Sequence, residues 1–360
     1  MPIIDYHNKR LTIIVLTLIF SAALLIRFQY IRLTENDIHI ARDAKQYVNY
    51  GKNLVFFHTF SKQQDSKPPT PDSYRSPGYP FLIALTMRIG GEVNYLKLLV
   101  YIQAVLSALL VLLTYFTGIC FLTTPAALLA ALLVAISPHL ITTAACILTE
   151  TLFSFLLLSA ICFFQLTLRK LSLWLAGTSA VFFGCAFLTN ETALFLPLIF
   201  IFVIIWAGYF PAAQLCGKNN TNVIIIFLVI YFVFPIGWWL RGYYNVPEGS
   251  LKGNDRAVAT MSHGAYPGFI YKNPRYKRFP YREDPQQPAF GSSFNNFSKI
   301  LWSRVKDEPL RYLNWYFIVK PYYLWNWVII QGVGDIYINP VKRSLFSESW
   351  LASNVKNLMQ

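Results

Sequence analysis

Apolar runs, most of about twenty residues and so of the length that a helix needs to cross a hydrocarbon core, recur through the first two thirds of this chain; the third is short for a bilayer. They fall at residues 11–31, 96–122, 125–137, 148–168, 171–189, 193–210 and 223–240. With 55% apolar and only 13% charged residues, the chain lies outside the range of ordinary soluble domains. These runs predict an all-α polytopic membrane protein of about seven transmembrane helices. Lys9-Arg10 ahead of the first run resembles a signal peptide, but the run continues through Phe28, Tyr30 and Ile31 without a small-residue cleavage site. It reads as an uncleaved first span.

Residues 77–91 are short, open with Pro-Gly-Tyr-Pro and contain Arg88, which inside lipid would cost a few kcal/mol. Placing them in or along the interface, with Lys9-Arg10 inside, also puts Arg169-Lys170 and Lys218 inside, as the positive-inside rule prefers. The same count puts Asp43, Glu150 and Glu191 together outside. Counting 77–91 as a span reverses Arg169-Lys170 and parts Glu150 from Asp43. Ser137-Pro138 ends the third run, because proline cannot continue a helix ladder. A short outer loop from His139 to Thr149 then leads to Glu150, at a helix start where the dipole favours a carboxylate and Thr149 is a candidate cap.

The expected domains are a membrane domain over 1–240, with an outer loop at 32–95, and an extracytoplasmic hydrophilic domain over 241–360. After Arg241 the chain turns to Gly, Pro, Asn, Tyr and Lys, and stretches 261–268 and 281–285 read as loops. Residues 302–313 form a candidate amphipathic helix, and the Tyr- and Trp-rich 316–333 read as an interfacial segment.

The net charge of +14 is spread over short loops and the C-terminal part instead of one stripe. That points to anionic lipid head groups and phosphate-bearing substrates as partners, and away from nucleic acid. The five cysteines sit in or beside apolar runs without metal-ligand spacing, and His39, His139 and His263 are scattered, so no metal site is predicted. No Gly-rich phosphate loop is present, which argues against a nucleotide-sugar donor or an ATP-driven pump.

Three segments carry chemistry. One is Asp43-Ala44 with Tyr47, beyond the first run; the second is Arg75-Ser76-Pro77-Gly78-Tyr79-Pro80; the third is Leu148-Thr149-Glu150-Thr151-Leu152. Their combination resembles the integral-membrane glycosyltransferases of the GT-C class, specifically the bacterial branch like dolichyl-phosphate-mannose-protein mannosyltransferases and aminoarabinose transferases. Residues 235–241 look like that branch's Pro-Trp-x-x-Arg-Asn span ending, with one inserted residue and Gly242 in place of Asn. Thr189-Asn190-Glu191 stands where many relatives have Arg-Pro.

The resemblance implies a polyprenyl-phosphate-linked sugar donor, an acceptor on the outer face of a bacterial inner membrane, and inversion at the anomeric carbon. It maps the family's catalytic acid onto Asp43 and a second acid onto Glu150, which in turn is a candidate to orient the acceptor or a divalent metal. Attack by an acceptor hydroxyl needs a base; Asp43 serves if partial burial or a neighbouring acid such as Glu150 makes it more basic. The departing phosphate calls for a forked cation, and Arg75 and Arg241 are the membrane-edge arginines in motif context. Tyr47, Tyr79 and His139 are candidates for sugar or acceptor contacts. The alternative function is a flippase or a non-catalytic binder of lipid-linked sugars; a transporter predicts mid-span ionisable residues and inverted repeats. Neither sugar nor acceptor (protein, lipid or polysaccharide) is legible.

Overall fold

The first apolar run becomes one helix, α1 (Tyr6–Leu33), whose Leu11, Ile13, Ile14, Leu18 and Leu25 stay exposed while Leu16, Ala23 and Tyr30 turn inward. A helix whose outer face is this apolar belongs in lipid. The computed structural model describes residues 6–36, 42–64, 68–199, 201–202, 219–262, 265, 286–291, 293–325 and 341–359. Among them α1, α3 (Gly78–Gly118), α6 (Glu150–Lys170) and α8 (Asn219–Asn245) are long and apolar enough to cross a bilayer. Helices α4 (Thr124–Ile136) and α5 (Pro138–Ala144) pass the same test together, bent by 49°. Helix α7 (Leu173–Thr189) is apolar but only 17 residues long, and the run at 193–210 lies partly outside the described residues.

Small residues set the helix spacing. Ala127, Ala131 and Ala135 of α4 pack on Ala108 and Val111 of α3, and Ala176, Ala180 and Gly184 of α7 lie against α6 and α8. A Cβ on Gly184 would fall 2.2 Å from a ring carbon of Phe234. Apolar contact in lipid gains little from water exclusion, so close backbone approach of this kind carries the association.

The break between α4 and α5 has a chemical cause. The Val134 carbonyl would normally accept from the amide of residue 138, which is proline and has none. The wholly buried Arg27 of α1 takes its place, donating to the carbonyls of Val134 (3.2 Å) and Ala135 (2.9 Å), to Ala23 O (3.0 Å) and to Ser107 Oγ (2.8 Å). A buried cation near the end of the first span is thereby satisfied without a carboxylate.

Several expectations are revised. Residues 77–91 lead into and form the first arm of α3, which is set off from the second arm by a turn at Gly91, where φ is +66°. The expected loop from His139 to Thr149 is mostly α5, and Thr149 makes no side-chain cap to α6; its own backbone is already helical. The amphipathic helix at 302–313 is two helices, α11 (Phe294–Asp307) and α12 (Pro309–Asn314), parted at Glu308. A π-turn over Trp315–Val319 and α13 (Lys320–Trp325) follow; the rest of 316–333 lies outside the described residues, as do most of 261–268 and all of 281–285. Near the end, β2 (Val341–Arg343) pairs antiparallel with β1 (Glu35–Asn36), just past α1. Phe346 of α14 (Leu345–Glu348) then packs on Tyr30 and Ile141, with Ala352 of α15 (Trp350–Met359) beside it.

Candidate functional site

The site forms where the C-terminal ends of α1, α7 and α8 meet the N-terminal ends of α3 and α6. Chain direction alone brings these ends to one side of the bundle, and Arg169 marks the opposite side by donating to Cys120 O at 3.0 Å. Helix α2 (Arg42–Phe56) lies across this end. Its Tyr47, Val48 and Tyr50 are buried, and it seats so closely on α3 that a Cβ on Gly51 would sit 2.5 Å from Ile83 Cγ2.

Asp43 occupies the first turn of α2, where a carboxylate complements the helix dipole. Its Oδ1 accepts from Arg75 Nη2 at 2.5 Å, while the side chain is 52% exposed. Arg75 is nearly buried; its Nε donates to Gln46 Oε1 (2.8 Å) and its Nη1 to Tyr47 Oη (3.3 Å), with the Tyr47 and Tyr74 rings beneath it. Burial presses against the charge on Arg75, but Tyr47, Asp43 and Tyr74 more than offset it and hold the guanidinium above its ordinary value. The Asp43 carboxylate is thus half-exposed. It is exposed on one side and fixed by a cation on the other.

Glu150 opens α6. The turn before it, with Ile147, Leu148 and Leu152, packs on the cluster of Tyr47, Tyr79, Met87 and Leu99. Burial raises the Tyr47 hydroxyl above its ordinary value; Arg75 and Arg256 act downward on it, and Asp43 and Glu150 upward. Four ionic side chains thus lie within electrostatic reach of Tyr47, and Arg75 touches its hydroxyl. The rings of Tyr47 and Tyr79 meet edge to face, with centroids 5.2 Å apart.

Arg241, near the end of α8, is placed differently. It donates to the backbone carbonyls of Asp72 and Phe60 and lies over the Phe60 and Trp238 rings. The Asp72 carboxylate accepts from the Tyr50 hydroxyl and from the backbone amides of Lys62 and Tyr74. Arg241 therefore clamps the loop that presents Arg75. His139 lies on α5, whose Ile141 belongs to the Tyr30 and Phe346 cluster and not to that of Tyr47 and Tyr79. His39 and His263 lie outside the described residues.

Two partners escape a reading by motif. Glu191, in a single 3-10 turn (Glu191–Ala193) after α7, accepts from Ser76 Oγ at 2.7 Å and pairs with Arg256 at 3.1 Å. Arg256, on α9 (Gly253–Ser262), belongs to the stretch read as a separate hydrophilic domain, and no motif surrounds it. Among the described residues no three of His, Cys, Asp and Glu stand close enough to hold a metal ion.

Long apolar helices with a cluster of acids, arginines and tyrosines at one end mark an integral membrane protein with a polar cluster at one end of its helix bundle. Residues 71–239, a little under half of the chain, match the family model described as dolichyl-phosphate-mannose-protein mannosyltransferase. No curated protein matches the chain. The matched residues include Arg75, Glu150 and Glu191; Asp43, Arg241 and Arg256 fall outside them.

Proposed function

We propose that the protein is an inverting glycosyltransferase that moves a sugar from a polyprenyl-phosphate donor to an acceptor hydroxyl on the extracytoplasmic face, in bacteria the periplasmic side of the inner membrane. The match to this family model supports dependence on a polyprenyl-phosphate sugar. The observation that carries the reading is the Arg75–Asp43 pair: it ties an acid that precedes the family match to an arginine inside it.

In this reaction the acceptor oxygen attacks C1 of the sugar from the face opposite the phosphate. The C1–O bond to the lipid phosphate breaks, and the acceptor's proton passes to Asp43. Arg75 holds Oδ1 and so fixes the carboxylate's orientation, while among the described residues Oδ2 accepts no hydrogen bond and is the oxygen offered to the acceptor. General-base catalysis of this kind contributes about 10²–10⁴-fold. The leaving phosphate is met by the cations around Tyr47, which are Arg75 and Arg256, and Glu150 orients the acceptor or a divalent metal. Arg241 acts here through the 60–72 loop that it clamps. Tyr47 and Tyr79 contribute the wall against which the sugar lies, with the isoprenoid tail left in lipid.

The test is transfer from a radiolabelled polyprenyl-phosphate sugar by purified protein, wild type against Asp43→Asn. The expected loss is at least about 100-fold at normal expression. Full activity in the variant removes the proposal.

A further inference from the structure

Gln103 sits in an apolar stretch of α3 and is wholly buried. Its carboxamide is engaged at both ends. Oε1 accepts from the Tyr79 hydroxyl at 2.7 Å, and Nε2 donates to Ala144 O at 3.0 Å and Cys146 O at 2.9 Å. One turn along α3, Ser107 donates to Leu140 O at 3.0 Å and accepts from Arg27. The carbonyls freed where α4, α5 and α6 break are therefore met by a column of polar side chains, and Gln103 is its member nearest to Glu150.

Two parts of the site hang on this one amide. The first is the turn over 144–149, whose last residue adjoins Glu150 and which closes on itself through Leu148 N to Cys146 O at 2.9 Å. The second is Tyr79, whose ring supports Tyr47 and whose hydroxyl lies within electrostatic reach of Glu150 and Cys146. A buried amide stripped of its partners is costly, so the three bonds resist any rotation of the turn.

We propose that Gln103 is a positioning residue that sets where Glu150 stands relative to Tyr47 and Asp43. It does so by fixing the 144–149 turn and Tyr79 at once. The inference rests on the reading of Glu150 as part of the reaction site, and it adds a residue that touches neither donor nor acceptor.

The experiment compares wild type, Gln103→Leu and Glu150→Gln, purified in detergent, for steady-state transfer from a polyprenyl-phosphate sugar. Gln103→Leu is expected to lower kcat roughly 10–100-fold, as small misplacements of reacting groups do, with donor KM within about threefold of wild type. A role in packing alone lowers thermal stability and leaves kcat per folded molecule unchanged; that result overturns the proposal. Wild-type kcat in Gln103→Leu beside an impaired Glu150→Gln overturns the positioning role and leaves the site reading standing. Wild-type kcat in Glu150→Gln overturns the site reading itself.

A second readout needs no turnover. With Cys120→Ala, Cys162→Ala, Cys185→Ala and Cys216→Ala in the background, maleimide modification of Cys146 is expected to run several-fold faster in Gln103→Leu, because the turn is released. An unchanged rate overturns the proposal. If Gln103→Leu does not accumulate, Tyr79→Phe carries the kinetic test, since it deletes one hydroxyl and leaves the ring in place. A kcat lowered at least about threefold at constant donor KM supports the proposal, and wild-type kinetics overturn it.

Discussion

Arg75 and Arg241 hold the same functional group, sit at the same end of the bundle and look alike in sequence, each at the edge of an apolar run. Their partners differ. Arg75 is gripped by an acid, an amide oxygen and a phenol, all side chains whose removal alters charge or polarity at the site. Arg241 is gripped by two backbone carbonyls and two rings, partners that carry no chemistry of their own. A guanidinium with side-chain partners is wired to reactivity, whereas one with carbonyl partners holds a loop in shape. The contrast separates effects on turnover from effects on stability.

The sharpest way to break the contrast is Arg75→Met. It leaves Asp43 without the group that orients it, and transfer is expected to fall by about 10²–10³-fold. Arg75→Lys keeps the charge but loses the fork and should recover only part of that loss. Both are read as kcat with a polyprenyl-phosphate sugar. Arg241→Met is expected to destabilise by about 1–3 kcal/mol, seen as a lower unfolding temperature in detergent, with turnover per folded molecule within about threefold of wild type. Equal losses of turnover in the two variants erase the distinction.

A pH series sharpens the loop side. Burial, together with the charge and hydrogen bond of Asp72, pushes the Tyr50 hydroxyl well above the ordinary tyrosine value. The folded state therefore keeps a proton that the unfolded chain releases. This contribution is complete below the ordinary value of 10.0 and declines as pH rises above it. Unfolding temperatures from pH 9 upward should fall more steeply in wild type than in Tyr50→Phe; parallel slopes remove the explanation. The smallest effect is expected from Arg256→Gln. Its pair with Glu191 is partly exposed, and loss of such a pair costs at most about 1 kcal/mol. Its signature is a raised donor KM at near-normal stability, and an unchanged KM removes Arg256 from the phosphate site.

Much of the frame was legible because lipid imposes one rule on every span. Runs of apolar residues marked the helices, and their alternating direction grouped Asp43, Glu150 and Glu191 before any coordinates. The break at Ser137-Pro138 followed from a missing amide. What the sequence did not disclose was pairing across distance: Arg75 reaches from its loop to Asp43 and Gln46 on α2, and Arg256 reaches Glu191 from beyond α8. Side-chain partners so far apart leave no periodic trace. Gln103 and Arg27 did carry a signal, since a lone polar side chain within an apolar run has to find a partner. Which carbonyls they would meet depended on the bend between α4 and α5, which proline announces without giving its angle.

The short ribbon of β1 and β2 bears on how the protein is made. Residues 35–36 leave the ribosome long before residues 341–343, so the two strands cannot meet until α1 to α8 have all been synthesised. A chain halted before residue 341 has α1 to α8 in place and yet lacks this ribbon, which makes the closure beside α1 a late event in the protein's biogenesis.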